Sequence, residues 1–117
     1  MDALPPLAVN HVNLRARDPE ALGRWYEAVL GFQRRGPFLW SAGTLLVFSR
    51  GDPFPSGDLH IGCRLASRAD LDGWVARLRA RGVAVPPVEG DDAYATTRIL
   101  DPEGNEIELF HEPVPPR

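Results

Sequence analysis

The feature that most constrains this chain is an internal repeat with a period of about 50 residues. Val9-Asn10-His11-Val12-Asn13-Leu14 alternates like a strand, and so does Leu59-His60-Ile61-Gly62-Cys63-Arg64-Leu65. A helical pattern follows each. His11 and His60 stand 49 residues apart, as do Leu22 and Leu71, and Trp25 and Trp74; Gly31 and Gly82, each closing a helix, are 51 apart. A repeat of this length is one supersecondary unit used twice. The whole chain is 117 residues, so the two copies leave little for anything else.

The spacing predicts a first helix over 19–30. Asp18 is its N-cap and Pro19 its first helical residue. Leu22, Trp25, Tyr26, Val29 and Leu30 form its apolar stripe, and Gly31 its C-cap. A second helix is predicted from Ala69 or Asp70 to Arg81, with Leu71, Trp74, Val75 and Leu78 as its stripe and Gly82 closing it. Strands are predicted over 32–35, 37–41 and 44–49 after the first helix, the last two forming a hairpin through Ala42-Gly43. After the second helix they are predicted over 83–85, 94–100 and 106–110. Asp101-Pro102-Glu103-Gly104-Asn105 is the turn between the last two. The expected fold is α+β: two βαβββ modules with mixed sheets, residues 7–50 and 58–112, joined by a connection over 51–57. Pro5-Pro6 and Pro113, Pro115 and Pro116 read as short extended tails.

Composition closes off several chemistries. All thirteen cationic side chains are arginine, so Schiff-base chemistry, covalent pyridoxal phosphate and a phosphate-loop lysine are excluded. The single cysteine, Cys63, supports neither an intrachain disulfide nor a multi-cysteine metal site. A net charge of −3 argues against nucleic acid as a partner, because phosphate neutralisation needs a basic surface. No run has the length of a membrane span, and the opening Met1–Pro6 stretch lacks the basic and apolar regions of a signal peptide. A cytoplasmic, reduced protein with no membrane association is expected.

Strand alternation sorts the side chains into two faces. Val12, Leu14, Ile61, Cys63, Leu65, Ile107 and Leu109 suit a face covered by helices. His11 and Asn13, His60 and Arg64, Thr96 and Arg98, and Glu106, Glu108 and Phe110 fall on the other. A sheet face that carries two histidines and two glutamates reads as a site rather than a second core. Trp25, Tyr26 and Trp74 read as core. Trp40 and Phe54 read equally well as pocket wall or subunit contact.

These residues resemble the vicinal oxygen chelate superfamily, which includes glyoxalase I, extradiol dioxygenases, and fosfomycin- and bleomycin-resistance proteins. The resemblance is carried by His11-Val12-Asn13-Leu14, by Trp25-Tyr26-Glu27-Ala28-Val29-Leu30-Gly31-Phe32, by His60-Ile61-Gly62 and, most specifically, by Asp101-Pro102-Glu103-Gly104-Asn105-Glu106-Ile107-Glu108-Leu109. It covers nearly the whole chain and implies paired modules whose sheets curl around a metal-binding cleft. At the family's ligand positions stand His11, His60 and Glu108, which implies one divalent metal ion (Fe, Mn, Zn or Ni). Two imidazoles and a carboxylate suit such an ion and leave positions open for water or substrate oxygens.

The resemblance further implies an enzyme acting on a small oxygen-rich molecule, of dioxygenase, lyase or isomerase type. Asn13, Arg64, Thr96, Arg98 and Phe110 are its candidate substrate contacts; no acid–base residue is assigned. A homodimer is also implied, its cleft taking His11 from one chain and His60 with Glu108 from the other. Two departures narrow the reading. Thr44–Ser49 offers no fourth ligand of the glyoxalase I kind, and the chain lacks the lysine of the fosfomycin branch. The alternative is a metal-free protein that binds or sequesters a small molecule, as in the bleomycin-resistance branch. Glu106 and His111 are rival ligands to Glu108, Glu106 reading otherwise as a solvated rim carboxylate.

Overall fold

The structure, a computed structural model, describes residues 4–55, 57 and 59–112. Pro113, Pro115 and Pro116, and Ser56 and Asp58 of the connection region, lie outside the described residues. The chain divides into two compact units, Met1–Asp52 and Pro53–Arg117.

The first unit runs β1 (His11–Ala16), α1 (Pro19–Leu30), β2 (Gln33–Arg35), β3 (Phe38–Ser41) and β4 (Thr44–Arg50). Its sheet order is β1-β4-β3-β2, with β1 parallel to β4 and the other pairs antiparallel. α1 has the predicted bounds for the predicted reasons. The Asp18 carboxylate accepts the Ala21 amide at 3.1 Å, and Gly31 closes the helix in the left-handed region (φ 73°), donating to the Tyr26 carbonyl. Its stripe packs on β1, β3 and β4. Tyr26 is buried there, its ring against Phe32 and Phe48 at centroid distances of 5.5 and 5.1 Å. The β3–β4 hairpin turns through Ala42 and Gly43, both at positive φ, the two-residue geometry whose twist matches antiparallel strands.

The second unit repeats the plan: β5 (His60–Leu65), α2 (Arg68–Ala80), β6 (Glu89–Gly90), β7 (Ala95–Leu100) and β8 (Glu106–His111), in sheet order β5-β8-β7-β6. β5 is parallel to β8. α2 starts one to two residues before the predicted position because the Ser67 hydroxyl caps it, accepting the Asp70 amide at 3.0 Å. Leu71, Val75 and Leu78 are its buried residues, and the helix packs on β5 and β8. The α+β fold of two mixed four-stranded sheets, each with its helix, is the one expected.

One predicted strand is absent. Residues 83–85 form no ladder, and the second strand of the unit is Glu89–Gly90 instead. The backbone groups there are already engaged. The Val83 amide donates to the Leu78 carbonyl at the helix end, and the Val85 carbonyl accepts from Arg79. Pro86 and Pro87 then follow without amide hydrogens, and the Pro86 carbonyl accepts the buried Thr97 hydroxyl.

Candidate functional site

The second unit gathers most of the predicted residues on one sheet face. The β7–β8 turn sets β8 in place. Buried Asp101 accepts the Glu103 and Asn105 amides on Oδ1, at 2.9 and 3.0 Å, and the Asn105 side-chain amide on Oδ2 at 2.8 Å. The Asp101 amide in turn donates to the Asn105 carbonyl, so the register of β8 is pinned at its first residue. Alternation then puts Glu106, Glu108 and Phe110 on one face and Ile107 and Leu109 against α2.

On the parallel β5–β8 ladder His60 is opposite Glu106, and Gly62 is opposite Glu108. The His60 ring reaches diagonally, bringing Nε2 to 3.4 Å from Glu108 Oε1. The other carboxylate oxygen, Oε2, accepts the Thr96 hydroxyl at 2.7 Å and the Tyr94 hydroxyl as well. Phe110 stacks on Tyr94 at 5.8 Å, with 26° between the ring planes. Burial pushes the Glu108 carboxyl up. The Thr96 and Tyr94 hydroxyls, with the charges of Arg98 and His60, outweigh that and hold it below its ordinary value. The same hydrogen bond to Glu108 raises the Tyr94 phenol.

The neighbouring carboxylate has its own partners. Glu106 accepts from Arg98 at 3.0 Å on Oε1 and from the Gly57 amide at 3.0 Å on Oε2. Arg98 holds the Glu106 carboxyl below its ordinary value, and Glu106 raises the guanidinium in return. Glu106 is thus tied to Arg98 and to the connection, which sets it apart from Glu108. Arg64 lies on the same strand as His60, with its guanidinium donating to the Glu112 carbonyl at 2.6 Å. Cys63 points to the helix side, where burial pushes its thiol up, away from reactivity.

His11 and Asn13 belong to the first unit. Both are exposed on β1. His11 Nδ1 is 3.2 Å from the Asn10 side-chain oxygen, and the ring lies edge-on to Phe38 at 6.2 Å. Asn13 accepts the Ser49 hydroxyl from β4 at 2.9 Å.

Tyr94 is the residue that sequence reasoning passed over. Its alternation with Thr96 and Arg98 was legible, but its partner depends on the β7–β8 register, which sets Thr96 opposite Phe110 and Arg98 opposite Glu108.

The spacing of the donors decides whether they fit a divalent ion. Two donors each about 2.1 Å from one ion lie about 3.0–3.4 Å apart in octahedral or tetrahedral arrangements. The 3.4 Å between His60 Nε2 and Glu108 Oε1 fits, and one imidazole nitrogen with one carboxylate oxygen suits Zn, Fe or Mn. Two hydroxyls on the far oxygen are the outer support that such ligands usually have. Within each unit, among the described residues, no three His, Cys, Asp or Glu side chains form a group able to hold a metal. The second unit thus offers a pair of donors.

Paired βαβββ modules with a histidine–glutamate pair on one sheet define a class, and comparison with known proteins identifies it. Residues 8–109 match the family model of the Glyoxalase/Bleomycin resistance protein/Dioxygenase superfamily. The chain belongs to that superfamily. Among solved structures it is similar to the genomically encoded fosfomycin resistance protein FosX from Listeria monocytogenes, with a TM-score of 0.78 and 18% identity over 96% of this chain and 97% of that one. It is also similar to lactoylglutathione lyase from Agrobacterium tumefaciens, with a TM-score of 0.74 and 20% identity over 92% and 96% of the two chains. A third is the oxidase ChaP-H1, with a TM-score of 0.71 and 22% identity over 92% and 98%. At these identities the likeness is one of fold. A comparison with curated proteins finds no match. Among the described residues no helix is long and apolar enough to cross a membrane.

Proposed function

We propose that this protein is a metal-dependent enzyme that takes a small oxygen-rich molecule, with His60, Glu108 and His11 as the ligands of one divalent ion. The observation that carries the reading is the His60–Glu108 pair: an imidazole nitrogen and a carboxylate oxygen on one sheet face, 3.4 Å apart. A divalent ion there supplies Lewis acidity toward neighbouring substrate oxygens. The chain's own residues supply the rest. Glu108 stays ionised because the Thr96 and Tyr94 hydroxyls and the nearby Arg98 charge offset its burial. Phe110 and Tyr94 give a flat aromatic wall beside it. Asn13, Arg64, Thr96, Arg98 and Phe110 are the assigned substrate contacts, and the all-arginine composition leaves arginines to meet any anionic group. His11 stands on the first unit, and we assign it to a site shared across a homodimer. We take the protein to act in the cytoplasm. Relatives named as a lyase, an oxidase and a resistance protein support small-molecule chemistry of the lyase, isomerase or dioxygenase kind.

The test is metal analysis of protein purified without a histidine tag, with light scattering alongside. One equivalent of metal per chain is expected, and a mass near twice 12.9 kDa. His60→Ala should abolish tight metal binding and leave the circular dichroism unchanged. A protein that holds no metal and gains none on titration would instead be a metal-free binding protein of the bleomycin-resistance kind.

A further inference from the structure

We propose that Tyr94 and Thr96 are positioning residues that commit Glu108 to binding a cation through one oxygen. The proposal rests on the metal reading above. Both hydroxyls donate to the same carboxylate oxygen, Oε2, and the opposite oxygen, Oε1, faces His60 Nε2. A carboxylate held this way cannot rotate to offer both oxygens to one ion without breaking two hydrogen bonds. One-oxygen binding leaves a further coordination position for substrate.

The surrounding chain is built to present the Tyr94 hydroxyl. Gly90 has φ 106°, and a Cβ there would lie 2.0 Å from the Tyr94 carbonyl oxygen, so only glycine allows this close turn. The Asp91 carboxylate accepts the Ala93 and Tyr94 amides at 2.8 and 3.2 Å, and the Asp91 amide donates back to the Tyr94 carbonyl. Phe110 then supports the phenol ring from below. Gly62, opposite Glu108, has no side chain; a Cβ there would meet Phe110 at 3.2 Å and come within 3.9 Å of Glu108 Oε1. A side chain at position 62 would therefore press first on Phe110, the ring stacked on Tyr94. Exposure separates the partners: Tyr94 is 40% exposed, and Glu108 is 7% exposed. Solvent could satisfy the phenol, so the contact serves the carboxylate.

The experiment titrates the full chain with Zn²⁺ against a chromogenic chelator and records the visible spectrum of the Co²⁺ form. The variants are Tyr94→Phe, Thr96→Val, both together, and Thr96→Ser. The double variant is expected to lose about 10–100-fold in Zn²⁺ affinity, as is usual when the outer support of a metal ligand is removed. Its Co²⁺ bands should weaken as the second carboxylate oxygen enters the coordination shell. Thr96→Ser, which keeps the hydroxyl, should behave as wild type. A role in stability alone would lower the melting temperature and leave the Co²⁺ spectrum unchanged, and that overturns the proposal. If the wild type binds Zn²⁺ and the double variant binds it equally well, positioning fails and the metal reading stands. If the wild type takes up no metal, both fall. Tyr94→Phe alone decides the matter if the double variant does not fold, because it keeps the aromatic stack.

Discussion

The two modules share a backbone plan and differ in what they place on one face of it. Each opens with a histidine-bearing strand paired in parallel with the last strand of its sheet. In the first module His11 is opposite Leu45 and Asn13 is opposite Val47; in the second His60 is opposite Glu106 and Gly62 is opposite Glu108. At the register position where one module holds a buried carboxylate, the other holds valine. The two modules thus share the parallel ladder and the helix packed on it, and differ in the side chains on the other sheet face. A ladder depends on backbone groups, which any residue except proline supplies, whereas a donor pair depends on two particular side chains.

The comparison can be broken at the shared core first. Tyr26→Ala in the first module and Leu71→Ala in the second should each cost about 3–5 kcal/mol in urea unfolding, because each empties a fully buried site under its sheet. A large cost in one and almost none in the other would mean that the modules do not rely on their helices alike. The helix caps come next. Asp18→Ala and Ser67→Ala each remove a side-chain acceptor from a first-turn amide, and each should cost about 1 kcal/mol by the same measurement.

The smallest effect belongs to the differing face and is read by pH. Glu106 and Glu108 are both held below the ordinary carboxylate value. Their contribution to stability is present above about pH 4.3 and is lost as pH falls through their lower folded-state values. Melting temperature should therefore decline on acidification below about pH 4.3. Replacing both by glutamine should flatten that decline. An acid limb unchanged in this variant would show that the second module's carboxylates are not its source.

Much of the architecture was legible because local rules and the repeat agreed. Asp18-Pro19 and Gly31 bound α1 at both ends, and the 49-residue spacing placed β5 and α2 once β1 and α1 were read. The strand expected over 83–85 was misplaced because short apolar runs look alike, and prior commitments of their backbone groups decide whether they pair. His60 and Glu108 could be selected from alternation together with resemblance to a family. Their approach to 3.4 Å could not, since it needs the β5–β8 register and a diagonal reach between strands.

By itself the sequence determined the repeated βαβββ order, the two faces of each strand, and the absence of lysine chemistry, because these follow from residue type and periodicity. Only the tertiary structure decided that Tyr94 joins Thr96 on one oxygen of Glu108, and that Glu106 is taken by Arg98 and the connection. Both outcomes depend on which side chains the folded sheet brings within hydrogen-bond range across strands. A hydrogen bond is a matter of tenths of an ångström, and no pattern along the chain encodes that.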